Sequence, residues 1–533
     1  MRDRPWWQDA IGYQVYLPSF QDSDGDGWGD LPGLISRLDH LRDLGVTLLW
    51  ISPFHPSPMR DHGYDVADYR AVDPRYGTLD DLDKLLCAAH ERGIRVVADL
   101  VVNHTSSEHP WFRSARRSRT DPMRDRYIWR DPGPDGGPPN NWLAHFGGPA
   151  WTFDDHTGQY YLHLFTPHQP DLNWDNPEVA DEVDDILRFW FDRGLDGFRI
   201  DTAHYLTKHP GLPDNPWLAP EDVPSQGGVA AEWLRQDHRY DIGQPSALDI
   251  HRRWRAIADF YHAVLIGEVY ILDPARLATY VQADGLHSTF WFGLVESGWA
   301  PERVATMLRA AAAAAPTLAW VQSSHDRKRA VTRYGSARRA IAVATLLMGL
   351  PGIPFLYNGE ELGLPDGTVP PGHARDPLAA ADGGSQSRDG ARTPMPWEPG
   401  PGLGFTTAPA AWLPFGDRTP ADTVAVQRED PDSPLSIHRR LIAARARTAS
   451  VRAAPLWLDE FGDVLGYRTG PVVVAANLAD RPHPFDPGPG NWLCEFDTDD
   501  PEACQVPAEL APGQAVILID RAAVTASRPD RPS

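Results

Sequence analysis

Carboxylates, one arginine and two histidines stand at or just beyond the ends of short apolar runs, spread from residue 99 to residue 326. Asp99 sits near the end of one run, which leads on to Asn103-His104. Arg199 and Asp201 close Gly197-Phe-Arg-Ile-Asp201, and Glu268 closes Val264-Leu-Ile-Gly-Glu268. His325-Asp326 follows a fourth run. Such acids suit cleavage of a glycosidic bond. One carboxylate attacks the anomeric carbon and a carboxylic acid protonates the leaving oxygen, the two standing about 5–5.5 Å apart when configuration is retained. Attack falls to Asp201 and proton transfer to Glu268. Arg199, two residues before Asp201, shares its side of a strand and can hold it ionised. Glu268 must stay protonated, so a less charged pocket is expected for it. Asp326 suits stabilising positive charge on the sugar ring. One acid at a strand end is usually a cap or an ion-pair partner; the joint pattern points to catalysis.

Short β-type runs alternate with amphipathic helical stretches, as in β/α units on a parallel sheet. Strands are expected at residues 12–16, 48–51, 96–100, 197–201, 264–268, 286–290, 318–322 and 354–357. Helices are expected at 31–43, 79–92, 177–192, 247–261, 301–314 and 336–349. Eight such strands imply an α/β fold, a (β/α)₈ TIM barrel with its active site at the C-terminal strand ends, which would gather the scattered acids. Residues 103–173, 209–244 and 364–420 are too long for simple connections. The first reads as a subdomain inserted after strand three, the others as a pocket rim. A last helix at 434–449 precedes β-like runs at 463–467, 472–476 and 515–519, which suggest a C-terminal antiparallel β-sandwich. The expected division is 1–103 and 174–450 for the barrel, 104–173 for subdomain B and 451–533 for the C-terminal domain.

With 50 basic and 73 acidic residues the formal charge is −23. That charge repels phosphate backbones and anionic lipid, so neither nucleic acid nor membrane is an expected partner. Three cysteines exclude a disulfide scaffold. Cys494 and Cys504 lie close enough to pair, and Cys87 reads as a small buried residue of a helix. No apolar leader or 18-residue apolar run is present, so a cytoplasmic protein is expected. The oligomeric state stays open.

Asp99-Leu-Val-Val-Asn-His104, Gln169-Pro-Asp-Leu-Asn-Trp174, Gly197-Phe-Arg-Ile-Asp201, Gly267-Glu268-Val and His325-Asp326 resemble, in order and spacing, the motifs of the α-amylase superfamily, glycoside hydrolase family 13. The resemblance implies Asp201 as nucleophile, Glu268 as acid/base and Asp326 as transition-state stabiliser. Tyr13-Gln-Val-Tyr-Leu-Pro-Ser-Phe20, Asp61-His-Gly-Tyr64-Asp65, Gly359-Glu-Glu-Leu-Gly363 and Arg388-Asp-Gly-Ala-Arg-Thr-Pro-Met-Pro-Trp397 resemble its α-glucosidase and oligo-1,6-glucosidase branch. That branch implies that Asp61, Tyr64, His104, Arg199, His325 and Arg392 grip a terminal glucose, with Asp99 beside them. Phe146 and Phe165 match aromatics lining the site. Such a closed pocket implies exo cleavage of a small α-glucoside, without an organic cofactor. In the branch, Val after the nucleophile accompanies α-1,6 activity and Thr or Ala α-1,4, so Thr202 points to maltose-type substrates. Ser324 and Arg327 depart from the usual pattern on the acceptor side. A sugar or polyol bound there would give transglucosylation. A sucrose isomerase, trehalose synthase or other glucosyltransferase would use the same three carboxylates.

Asp22-Ser-Asp24-Gly-Asp26-Gly-Trp28-Gly-Asp30 sets acids at alternate positions, a spacing that lets carboxylates and the Trp28 carbonyl wrap one hard cation. Gly33 at the twelfth position rules out an EF-hand. Relatives in the branch imply structural Ca²⁺ here. No histidines cluster at zinc spacings.

Overall fold

Eight parallel strands close into a barrel in which each pairs with its neighbour in sequence and the last closes onto the first. In order they are Gly12–Val15, Leu48–Ile51, Arg95–Leu100, Gly197–Ile200, Val264–Gly267, Ser288–Trp291, Leu318–Trp320 and Ile353–Tyr357. The computed structural model describes residues 5–224, 230–315, 317–378, 387–449, 452–458, 464–502 and 505–522. Except at Arg95 the strands are buried throughout, which is why most of their residues are apolar. Gly197 starts strand four because a Cβ there would run into the Val264 carbonyl of strand five. Strand six begins at Ser288, two residues later than expected. The polar residues His287, Ser288 and Thr289 lie between Leu286 and Phe290, so hydrophobicity does not mark its start.

Helices pack around the barrel. Leu79–Glu91 is opened by a Thr78–Asp81 capping box and buries Leu82, Leu85, Leu86 and Ala89, the i, i+3, i+4, i+7 stripe. Cys87 falls off that stripe and is exposed, against the expectation of burial. Cys494 is buried; its suggested partner Cys504 lies outside the described residues. The helix expected at 31–43 is two, Leu31–Ser36 and Leu38–Leu44. Between them Arg37 leaves helical dihedrals and lays its guanidinium 4.5 Å from the Trp397 ring.

After strand three comes a small antiparallel sheet of Trp129–Arg130, Gln159–Leu162 and Trp151–Asp154. Its apolar side joins Trp142, Phe165, Tyr205 and Trp233 in one cluster. The excursion after strand four is thereby tied to it, with Trp142 Nε1 donating to Pro213 O at 2.8 Å and Gln236 Nε2 to Asn141 O at 2.8 Å. At the C-terminus Leu456–Leu458, Val464–Thr469, Val472–Asn477, Ala515–Asp520 and Trp492–Asp497 form a five-stranded antiparallel sheet, beside a two-stranded ribbon. Asp463, expected to start one strand, lies outside the described residues. The sheet docks on the helix Ala337–Gly349, where Gly349 leaves room for Tyr467 and Val474.

Candidate active site

Strand register brings the scattered acids together. Asp99 is paired with Arg199 across strands three and four, and Ile200 with Gly267 across strands four and five. Asp201 and Glu268 therefore follow side by side at the C-terminal edge. Arg199, almost fully buried, touches three carboxylates: Asp99 at 2.5 Å, Asp201 at 2.6 Å and Glu268 at 2.8 Å. Trp50 Nε1 donates to Asp99 at 2.9 Å, and the Trp50 ring lies 4.9 Å from the Arg199 guanidinium.

Thr202, next to Asp201, has φ of 42°, a left-handed conformation strained for a β-branched residue. The bend aims its N–H at Glu268 Oε2, 2.9 Å away, and leaves its hydroxyl 3.3 Å from Asp201. One strained residue thus touches both acids.

Burial raises the pKa of Asp201 to about 6 despite Arg199, with Asp99 adding to the rise. Burial likewise raises Glu268 to about 7, against Arg199 and with Asp201 and Asp326 assisting. The expectation of a less charged pocket for Glu268 is corrected here: it shares the guanidinium, and loss of water keeps its proton on. Asp326 behaves oppositely. Burial opposes its ionisation, but His325 and the permanently charged Arg388, Arg392 and Arg327 hold its pKa far below the usual carboxylate range.

Asp61, Tyr64, His104, Phe146, Phe165 and Gln169 line a cavity of about 440 Å³ above these acids, whereas Asp99, Arg199, His325 and Arg392 are buried behind its lining. His325 takes a hydrogen bond at Nδ1 from Gln14 at 2.6 Å and meets the Tyr64 hydroxyl at Nε2 at 2.8 Å. Tyr64 and Tyr16 both stack on it at 5.5 Å. Burial lowers its pKa to about 3, so its 3.3 Å contact with Asp326 is dipolar at neutral pH. Gln169 Nε2 reaches Asp61 at 3.1 Å and His104 at 3.1 Å. Phe165 lies 5.1 Å from the His104 ring, and Phe146 sits 5.4 Å from the Arg388 guanidinium. Arg392 donates to Asp326 at 3.0 Å and to the His325 carbonyl at 2.8 Å.

Sequence reasoning gave no role to Arg388. Its guanidinium bridges Asp61 at 3.0 Å, Asp376 at 2.9 Å and Asp326 at 3.2 Å, tying the excursion after strand eight to two site carboxylates. The signal was present: Arg388 is the first residue of the segment that contains Arg392 and ends at Trp397. His145, Tyr205 and Trp233 also line the cavity without having been singled out.

Away from the cavity, Asp22, Asp24 and Asp30 bring carboxylate oxygens within 4.8 Å of one another. Asp26 accepts from the Trp28 N–H at 2.7 Å, and the Trp28 ring packs 5.0 Å from Trp412. No helix among the described residues is long and apolar enough to cross a membrane.

The alpha amylase catalytic domain family matches residues 14–454. A probable alpha-glucosidase of Rhizobium meliloti (strain 1021) is 42% identical over 482 residues, 87% of each chain. The oligo-1,6-glucosidase of Heyndrickxia coagulans is 35% identical over 552 residues, covering 91% of this chain and 94% of its own. Among solved structures, the alpha-glucosyl transfer enzyme XgtA superposes with a TM-score of 0.91 at 38% identity, over 97% of this chain and 100% of that one. With its closed barrel and its carboxylates at the strand ends, the chain belongs to the α-amylase family of glycoside hydrolases, in the α-glucosidase and oligo-1,6-glucosidase branch.

Proposed function

We propose that this glycoside hydrolase is a retaining, exo-acting α-glucosidase that removes non-reducing-end glucose from short α-1,4-glucosides, with Asp201 as nucleophile, Glu268 as acid/base and Asp326 as stabiliser. The observation that carries the reading is the single guanidinium of Arg199 held against both Asp201 and Glu268. Two carboxylates on one guanidinium lie close together, which suits the spacing of about 5–5.5 Å found in retaining pairs.

The pKa order supports these roles. Asp201, at about 6, is mostly ionised at neutral pH and ready to attack. Glu268, at about 7, still carries the proton that the leaving oxygen needs, then takes one from the incoming hydroxyl in the second displacement. Asp326 stays ionised and faces the charge that develops on the ring. Asp61, Tyr64, Asp99, His104, Phe146, Phe165, Thr202, His325 and Arg392 serve the glucose subsite, and Arg388 joins them. Its bridge between Asp61 and Asp326 supports a closed donor end and hence exo cleavage. Thr202 supports α-1,4 over α-1,6 linkages. Transglucosylation is the second reading, favoured by the likeness to a glucosyl transfer enzyme.

Structural Ca²⁺ is proposed at the 22–30 loop. Asp22, Asp24 and Asp30 fit, since their converging oxygens are the donors a hard cation takes, and Asp26 and the Trp28 carbonyl would complete the set. The ion would stabilise the loop, with no part in the chemistry. A cytoplasmic location and the division into residues 1–103 with 174–450, 104–173 and 451–533 belong to the same proposal.

Product analysis on maltose, isomaltose, sucrose and trehalose tests the reading. Glucose from maltose at the highest rate is expected, with activity abolished in Asp201→Asn and Glu268→Gln. Isomerised sucrose or trehalose as main product would overturn it.

A further inference from the structure

Trp412 belongs to the excursion after strand eight, and its indole is packed among three segments that follow other strands. The rings of Trp28, His62 and Tyr16 lie 5.0, 5.7 and 6.0 Å from it. Its backbone N–H donates to the Gly27 carbonyl at 2.9 Å. Gly27 has φ of 93°, and a Cβ there would come within 2.6 Å of the Ala410 carbonyl, so only glycine lets the two segments meet this closely. Trp412, Tyr16 and His62 are all buried behind the cavity lining.

Each contact leads on to a residue of the proposed glucose subsite. Trp412 Nε1 donates to Ser19 Oγ at 2.9 Å, and that hydroxyl donates in turn to the Arg392 carbonyl. Tyr16 stacks on His325 at 5.5 Å and lies 5.2 Å from the Arg392 guanidinium. His62 stands between Asp61 and Tyr64 with φ of 49°, followed by Gly63 at 103°. A histidine in this left-handed region persists only where its surroundings hold it. Here the Arg375 carbonyl accepts from His62 Nε2 at 3.1 Å, and the Trp412 ring packs against the imidazole. The turn so held brings Asp61 to Gln169 and Arg388, and Tyr64 to His325. One indole therefore bears on both halves of the subsite, Asp61 with Tyr64 and His325 with Arg392.

We propose that Trp412 is a positioning residue of the glucose subsite. Without touching the sugar, it keeps Asp61, Tyr64, His325 and Arg392 in register with one another. The inference rests on the glucoside-cleaving reading above. A misplacement of about 1 Å in such a constellation can lower the rate by about a hundredfold. Loss of the indole should therefore show in sugar binding and turnover, beyond any loss of stability.

The test compares Trp412→Leu and Trp412→Phe with Tyr467→Leu, a control in the sheet docked at Gly349. The substrate is p-nitrophenyl α-glucoside, and the readout is the inhibition constant of deoxynojirimycin, a glucose-shaped amine. That constant does not depend on the fraction of enzyme that is folded. Trp412→Leu should raise it about tenfold and lower kcat/KM about a hundredfold. Trp412→Phe keeps a ring but loses the bond to Ser19, and should raise the constant about threefold. This variant decides the matter if Trp412→Leu does not fold. Tyr467→Leu should lower Tm and leave the constant unchanged. An unchanged constant in the Trp412 variants that fold, or an equal rise in Tyr467→Leu, would overturn the positioning role alone. A parent enzyme that does not cleave the glucoside, or that the amine does not inhibit, would overturn the reading of the glucose subsite along with it.

Discussion

The two ends of the barrel each bury an arginine, and the contrast between them separates function from support. At the C-terminal mouth Arg199 meets three carboxylates, and their charges raise its pKa well above the ordinary value although burial works against this. At the opposite face Arg445, equally buried, donates to the carbonyls of Met348, Leu350 and Gly352 at 2.6, 3.0 and 2.7 Å, where the chain enters strand eight. Burial and the neighbouring Arg452 push its pKa well down. One arginine balances an excess of negative charge; the other closes off backbone groups that would otherwise be orphaned. At the mouth strained and crowded groups meet, as the proposed chemistry requires, and the floor satisfies its polar atoms with local dipoles.

The largest effect should come from Arg199→Lys. Lysine keeps the charge but loses the fork that spans Asp201 and Glu268, so kcat/KM should fall by about a thousandfold while circular dichroism stays native. A fall below tenfold would mean that the fork does not set the geometry of the pair. Arg445→Met should do the reverse. Leaving three carbonyls without a partner costs about 3 kcal/mol, read in urea unfolding, with kcat per folded molecule preserved. Equal losses of stability and turnover would erase the contrast.

Glu268→Gln should also raise stability above the parent at pH 8. The folded pKa of Glu268, about 7, lies above its unfolded value, so the folded state holds the proton more tightly. Stability from this group is complete below the unfolded pKa and is lost as pH rises toward about 7. Glutamine removes that loss, for a gain of roughly 2 kcal/mol at pH 8 that shrinks toward pH 4. A variant less stable than the parent at pH 8 would show that Glu268 is held as a structural ion pair. The same groups should give a narrow activity optimum, rising through about 6 with Asp201 and falling through about 7 with Glu268. The smallest effect is expected at the 22–30 loop, where chelation should lower Tm by about 3 °C, an effect reversed by Ca²⁺ in excess over chelator.

Much of the barrel was legible because parallel strands covered on both faces read as apolar runs, and because a polar residue closing such a run stands out. Asp201 and Glu268 stand out for that reason, whereas Asp326 lies six residues beyond the end of its strand at Trp320. Less legible was whatever depends on where a side chain ends up in space. Arg388 lies nearly three hundred positions from Asp99, and no local pattern shows that it bridges Asp61 and Asp326. Cys87 was misread from its helix alone, although the positions of Leu82, Leu85, Leu86 and Ala89 place it off the buried stripe. The environment of Glu268 was misjudged because strand register, not spacing, puts it on the guanidinium that Asp201 uses. The break at Arg37 left no breaker residue to mark it.

The central claim is double displacement by Asp201 and Glu268. Proton NMR of the first glucose released from maltose, recorded before mutarotation, tests it most directly. The account predicts α-glucose first, from two inversions at the anomeric carbon; β-glucose first would contradict it, because a single inversion leaves no ester on Asp201.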